Sequence, residues 1–273
     1  MYDTGNSAIF APMFYVDTHT HLYLNAFDND RHEVVMRAIN KGVQYLLLPN
    51  IDSSSITPMH RLCDDFPLNC YPMMGLHPTS VKENYKEELQ IIESRLAKGG
   101  YCAVGEIGLD FYWDVTFRKE QEEVFRRQIE LALKYNLPLV IHSRKSMDEI
   151  ILILREINNP ALTGIFHCFS GSPEQAKRIV DLGFKLGIGG VVTFKNSKLK
   201  DTISKIGLEH LVLETDAPFI SPAPYRGQRN ESSYIPLIAA HIAETFGIDV
   251  STVTQTTTKT ALQVFNTLPA KNT

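Results

Sequence analysis

The chain has 273 residues and a formal charge of −4, with hydrophobic residues at 44%. That length allows one large barrel or two smaller domains, and the composition excludes a disordered or fibrous chain. The acidic balance excludes a global basic field, so any contact with nucleic acid must come from locally placed Lys and Arg.

Four cysteines, Cys63, Cys70, Cys102 and Cys168, form no Cys-x-x-Cys pair and read as reduced thiols. Residues Met1 to Phe10 carry Asp3 and no basic leader, and no long apolar stretch follows. We therefore expect no signal peptide, no membrane span and a cytoplasmic protein. Met1 to Pro12 reads as an N-terminal extension of one domain that spans residues 1–273.

The first strand is expected at Met13 to Asp17, followed by Thr18-His19-Thr20-His21. A helix is expected over Arg31 to Lys41, with Val34, Val35, Ala38 and Ile39 on one face and Gly42 as its stop. Tyr45 to Leu48 is too short an apolar run for a helix and reads as strand two. Thr57-Pro58 opens a short helix to Asp65 as a cap followed by proline. Strand three, Cys70 to Met74, leads into Gly75-Leu76-His77-Pro78, and a helix over Glu87 to Lys98 is closed by Gly99-Gly100.

Strand four is expected at Tyr101 to Gly105, ending in Glu106. A long amphipathic helix, Phe117 to Tyr135, turns Phe117, Gln121, Val124, Phe125, Ile129 and Ala132 inward. Strand five, Pro138 to Ile141, ends in His142; a helix follows over Met147 to Ile157; strand six, Gly164 to Phe166, ends in His167. Ser172-Pro173 starts a helix that stops at Gly183, and Phe184 to Ile188 is strand seven. A short helix over Leu199 to Ile206 precedes strand eight, Leu211 to Leu213, with Glu214-Thr215-Asp216 after it. Two helices, Tyr234 to Phe246 and Thr252 to Phe265, complete the chain.

Eight short strands, most separated by helices, imply a parallel sheet, because parallel strands need crossovers. Their number and the chain length match a TIM (β/α)₈ barrel, an α/β fold. An open doubly wound sheet fits less well, since the first strand turn has no glycine-rich phosphate loop.

Active sites of such barrels lie at the carboxyl ends of the strands. His19, His21, His77, Glu106, His142, His167 and Asp216 all fall at strand ends, whereas His32, His60, His210 and His241 do not. Any one of the seven has a bland reading as a cap or turn residue; their coincidence is harder to explain that way. In a closed ring strands one and eight are neighbours, which brings His19, His21 and Asp216 together. Four imidazoles and two carboxylates exceed what one tetrahedral ion takes and suit two divalent ions. Glu106 is the natural bridge, because strand four lies between the two ligand groups. One ion would take His19, His21, Glu106 and Asp216; the other Glu106, His142 and His167. Two ions roughly 3.5–4 Å apart activate a water and hold the oxygens of a displacement at phosphorus. Asp216 is the expected proton acceptor. Ligand type favours zinc, manganese, iron or nickel over magnesium without choosing among them.

Seven blocks carry a resemblance to a known family. They are Asp17-Thr18-His19-Thr20-His21-Leu22, Gly75-Leu76-His77-Pro78, Gly105-Glu106-Ile107-Gly108-Leu109-Asp110, His142-Ser143-Arg144, His167-Cys168-Phe169-Ser170-Gly171, Glu214-Thr215-Asp216-Ala217-Pro218 and Arg226-Gly227. In this order they resemble the TatD family of metal-dependent hydrolases, within the amidohydrolase-like barrels. The resemblance implies a TIM barrel, two or three divalent ions, and hydrolysis of phosphodiester bonds in DNA, often as an exonuclease. It also implies His19, His21, Glu106, His142, His167 and Asp216 as the metal ligands, in agreement with their placement at strand ends. Glu106 stands where many related amidohydrolases carry a modified lysine. Two features depart from the family pattern: the long N-terminal extension, and Ser232 after Asn230-Glu231, where a proline is usual.

For substrate contacts, Arg144 lies two residues beyond His142, and its guanidinium suits a phosphate. Arg226 and Arg229 could serve likewise or be surface arginines, and His77 could meet a substrate phosphate or a water on the metal. Phe111-Tyr112-Trp113 could stack on splayed bases or pack on the barrel rim. The resemblance implies DNA, single-stranded or frayed, as the partner, with magnesium, manganese or zinc as the ions. Two other functions fit the same ligands: hydrolysis of a carbonyl ester or amide such as an aminoacyl-tRNA ester, and a non-catalytic metal-binding scaffold.

Overall fold

A computed structural model describes residues 14–271; the predicted extension Met1–Pro12 and the start of the predicted first strand at Met13 lie outside the described residues. Among them, β1 (Tyr15–Asp17), β2 (Val43–Leu48) and β3 (Cys70–Pro72) pair in that order. A second ladder joins β4 (Val104–Asp110), β5 (Leu139–Arg144), β6 (Gly164–Phe166), β7 (Lys185–Ile188) and β8 (Leu211–Leu213). All pairings are parallel.

Backbone hydrogen bonds close both seams between the ladders. Cys102 N donates to Pro72 O at 3.0 Å and Met74 N to Ala103 O at 3.2 Å, which joins β3 to β4. At the other seam Leu213 O accepts from both Thr18 N and Thr18 Oγ1 at 3.0 Å, joining the end of β1 to β8. The strands thus form the closed (β/α)₈ ring the sequence implies.

Alternation along β2 sorts the core. Tyr45 and Leu47 point inward with Val16, Met73, Ala103, Val140, Ile165 and Val212, while Leu46 and Leu48 face the surrounding helices. The helices are α1 (Arg31–Asn40), α2 (Ile56–Asp65), α3 (Tyr85–Leu96), α4 (Arg118–Tyr135), α5 (Met147–Ile157), α6 (Pro173–Asp181), α7 (Leu199–Ser204), α8 (Ile235–Phe246) and α9 (Val250–Val264). The last supplies Ala261 and Val264, with Phe265 just after it, to the inner cluster. Thr258 Oγ1 also donates to Phe14 O at 2.6 Å, so α9 closes the end where the strands begin. Full burial of Phe265 contributes roughly 1.5–3 kcal/mol.

Local signals account for most boundaries. Ser172 caps α6 through Gln175 N, Gln175 reaches back to Ser172 N, and Pro173 fills the first turn. Asn136, left-handed at φ 53°, ends α4. The predicted opening at Thr57-Pro58 is displaced: α2 begins at Ile56, after a 3₁₀ turn capped by Asp52. Strand three is shorter than predicted.

Strand four departs most. It runs from Val104 to Asp110, so Glu106 lies inside the strand and not at its end. Strand five likewise continues through His142 to Arg144. Gly108 makes this pairing possible. At its φ of 133°, a Cβ would lie 2.1 Å from His142 O. Without one, β4 lies directly on β5, with Ile107 opposite Ile141 and Gly108 opposite His142.

Candidate metal centre

The predicted ligands converge at the carboxyl-end mouth of the barrel around Glu106. The Nε2 atoms of His19 and His21 lie 3.1 Å apart, as two imidazoles sharing one face require. Glu106 Oε2 sits 3.2 Å from His19 Nε2 and 3.5 Å from His21 Nε2. Its other oxygen, Oε1, sits 2.9 Å from His142 Nδ1 and 3.1 Å from His167 Nε2. Asp216 Oδ1 stands 3.5 Å from His21 Nε2 and 3.7 Å from His19 Nε2. One carboxylate thus presents a different oxygen to each of two donor groups. His167 stands between the groups, because it also clusters with His19 and Asp216 and its ring stacks on His19 at 3.7 Å.

The centre floors a cleft of about 630 Å³ lined by His77, Asp110, Trp113, Arg144, Phe219 and the predicted ligands other than the fully buried His19. A larger groove, about 830 Å³, lies at the opposite end beside Lys185 and α9. None of the donor clusters among the described residues falls there.

The donor set fits divalent cations. Burial disfavours a charged Glu106, yet His77, His167 and His19 outweigh it and hold the carboxyl well below its usual range. Asp216 is likewise held low, against burial, chiefly by its hydrogen bond with His21. For His21, burial is outweighed by Asp216 and Glu106, and its pKa rises to about 9. Protons on His21 and His167, both held above the usual imidazole range by the carboxylates beside them, supply the positive charge that a bound cation supplies in their place.

Neighbouring groups set ring orientation. The Tyr23 hydroxyl donates to Pro49 O at 2.6 Å, so it accepts from His21 Nδ1–H at 2.9 Å. That fixes the proton on Nδ1 and aims the Nε2 lone pair at the cluster. His142 is clamped from both sides, with Nε2 2.9 Å from Asp110 Oδ2. Glu214 Oε1 accepts from Cys168 N and lies 3.4 Å from His167 Nδ1, without hydrogen-bond alignment. Gly187 makes room for Glu214, since a Cβ there would fall 2.1 Å from its Oε2. Buried Asp17 accepts from Thr215 N at 2.9 Å and Thr215 Oγ1 at 2.6 Å, tying the two ligand-bearing turns together.

Tyr23 lies outside every motif block, and Asp110, Glu214 and Asp17 stand in blocks in which the sequence assigned them no role. Asp110 had a signal: it lies four residues after Glu106 in one strand, hence on the same face. We expect Tyr23→Phe to leave the fold intact and weaken metal binding by ~10–100-fold. Calorimetric titration of the metal-free protein with manganese measures it; an unchanged affinity would show that Tyr23 does not orient His21.

His77 Nε2 lies 3.3 Å from Glu106 Oε1, close enough to join a three-donor cluster with His142. However, its Nδ1 accepts from Thr79 N at 3.2 Å, which leaves the proton of the neutral ring on Nε2. His77 is thereby a hydrogen-bond donor that lines the cleft, with its Nε2 toward Glu106 Oε1. Arg144 lines the cleft. Arg226 does not: it is exposed and stacks 4.5 Å over Phe194, outside the cleft lining, contrary to the expected substrate contact. Arg229 forms a two-pronged pair with Asp30 at 2.8 and 2.6 Å, a structural role. Ser232, where the family usually has proline, is buried with its hydroxyl 3.2 Å from Thr20 Oγ1, so it braces the turn between His19 and His21.

A parallel eight-stranded barrel with histidines and carboxylates gathered at its mouth defines a metal-dependent hydrolase of the amidohydrolase-like kind. Comparison with known proteins narrows the class. A model of the family described as TatD related DNase matches residues 16–266. The metal-dependent hydrolase YabD of Bacillus subtilis is 38% identical over 91% of this chain and 98% of its own length. The crystal structure of the TatD homologue YjjV from Escherichia coli superposes with a TM-score of 0.87, at 30% identity, covering 92% of this chain and 98% of that one. The E. coli phosphotriesterase homology protein shares the fold at a TM-score of 0.68 and 16% identity, covering 94% of this chain and all of that one. The chain belongs to the TatD family of metal-dependent hydrolases.

Proposed function

We propose that this protein hydrolyses phosphodiester bonds of DNA, at single-stranded or frayed ends, as an exonuclease using two divalent ions. The observation that carries the reading is Glu106, whose two oxygens face separate donor groups on the floor of a cleft rimmed by Arg144. When bound, the ions lower the pKa of an attacking water and offset charge on the oxygens around phosphorus.

The chain's own groups supply the rest. Asp216 is the more accessible of the two central carboxylates, its side chain 14% exposed against 3% for Glu106. It accepts the proton of the attacking water. Nε2–H of His77 donates to a phosphate oxygen, and the Arg144 guanidinium holds the phosphate at the rim. The donor state of His77 leaves the count at two ions. Magnesium, manganese and zinc are the metals to test. Among the described residues no helix is long and apolar enough to cross a membrane. A cytoplasmic location belongs to the same reading and is supported by four free thiols.

Chelation should abolish cleavage of a single-stranded oligonucleotide, and re-addition of one of the three metals should restore it. A panel that includes an aminoacyl ester separates attack at phosphorus from attack at carbon. A metal-loaded preparation that leaves DNA intact would falsify the proposal.

A further inference from the structure

Large apolar side chains exposed to solvent number eleven among the described residues, and four of them gather at one place. Tyr112 and Trp113 are 48% and 66% exposed; Phe219 and Ile220 are 50% and 39% exposed. Trp113, Phe219 and Ile220 line the metal cleft directly, and Tyr112 packs edge-on against Trp113 at 4.9 Å. The first pair follows β4 and the second follows β8, strands on opposite sides of an eight-membered ring. The mouth is therefore a slot with an apolar wall on either side.

One wall carries charge. The Arg144 guanidinium lies 4.1 Å over the Tyr112 ring and 4.9 Å over Trp113, and Lys145 Nζ is 5.1 Å over Tyr112. Seven other arginines have carboxylate partners; the Arg144 side chain has none among the described residues. Its N–H edges remain free for an anion. The wall is also anchored. Asp110 Oδ1 accepts from Tyr112 N at 2.9 Å and Trp113 N at 3.1 Å, while Oδ2 holds His142. A second groove, beyond Phe219, is lined by Tyr23, Asn25, Asp52 and Ser54 and offers no Lys or Arg. An anionic polymer thus has a reason to run along the Arg144 side and not the other.

The geometry points to a nucleobase subsite on Trp113: the base next to the phosphate under attack lies on the indole, within the slot closed by Phe219, while Arg144 takes its phosphate. A flat ring alternating with an anion is the repeat of a single-stranded nucleic acid, and it matches the alternation of indole and guanidinium. This assignment rests on the phosphodiesterase reading above and adds to it how the substrate is held and why an unpaired strand is required.

Trp113 is the sole tryptophan of the chain, so its fluorescence reports this site alone. The titration uses metal-loaded Asp216→Asn protein, which cuts so much more slowly that the substrate persists through the measurement. A short single-stranded oligonucleotide should quench the emission to saturation, and an abasic strand of equal length and charge should not. In kinetics, the wild type should favour the base-bearing strand over the abasic one by roughly 5–150-fold in KM, the worth of one stacked base. Trp113→Ala should erase that preference, and Trp113→Phe should retain part of it. Equal quenching by the abasic strand, or an undiminished preference in Trp113→Ala, overturns the subsite. Cleavage of DNA without quenching removes the subsite and leaves the phosphodiesterase. Quenching without cleavage by the wild type removes the phosphodiesterase and leaves a base-binding site.

Discussion

Asp216→Asn protein is expected to bind its metals and still hydrolyse DNA ~10²–10⁴-fold more slowly than the wild type, the usual cost of losing a general base. The substitution is chosen because it changes so little else. Asp216 adopts a left-handed backbone at φ 58°, a conformation asparagine also tolerates. Its N–H donates to His19 O at 2.9 Å, a bond that does not involve the side chain. The amide can still present an oxygen to His21, so the arrangement of the imidazoles is kept. What disappears is the capacity to take a proton. Turnover on an oligonucleotide, read beside metal content by elemental analysis, separates the two roles. Near-wild-type turnover with full metal content would move the proton acceptor elsewhere in the cleft.

Glu106→Gln acts at the opposite end of the problem. The amide keeps one acceptor oxygen and replaces the other with an N–H₂ group. That group points a donor where a cation needs a lone pair. The charge that holds His167 protonated is lost as well: burial opposes that charge, and Glu106 is the main group overcoming it. We expect fewer than two ions per chain after dialysis. The fall in affinity should exceed the ~10–100-fold that follows removal of a group behind a ligand. Hydrolysis should vanish with the metals. Two ions retained per chain at wild-type affinity would mean that Glu106 does not bridge them, and the two-ion arrangement would need redrawing.

The ring was legible in the sequence because its strands are buried on both faces and so read as continuous apolar runs. The runs at Gly164–Phe166 and Leu211–Leu213 were placed to the residue, and so was the helix at Met147–Ile157. The ligands were legible for a related reason: a polar residue directly after such a run is conspicuous. The same logic hid the true extent of β4. Glycines and carboxylates interrupt its apolar run, so the strand seemed to stop at Gly105, although its ladder with β5 continues to Asp110. Glu106 and Asp110 are polar because they face a charged cluster at the mouth, and Gly108 is small because the backbone of β5 leaves no room for a Cβ; the strand has not ended there. The roles of Tyr23 and Glu214 were illegible for a different reason. Each acts on a histidine through a contact set by tertiary packing, and neither has a spacing that sequence alone interprets. Arg226 shows the converse. It sits in a motif block, but its side chain stacks on Phe194 and neither residue lines the cleft.

The bond pair from Thr18 to Leu213 has a bearing on how the protein comes to life. It unites the earliest strand of the barrel with the last, some two hundred residues apart along the chain. His19 and His21 are therefore made well before Asp216 and have no such carboxylate beside them until some two hundred further residues have been added. Over that interval the nascent chain carries an incomplete chelating site. The donor cluster of the hydrolase is complete only as its last stave is set, which ties assembly of the metal centre to closure of the ring.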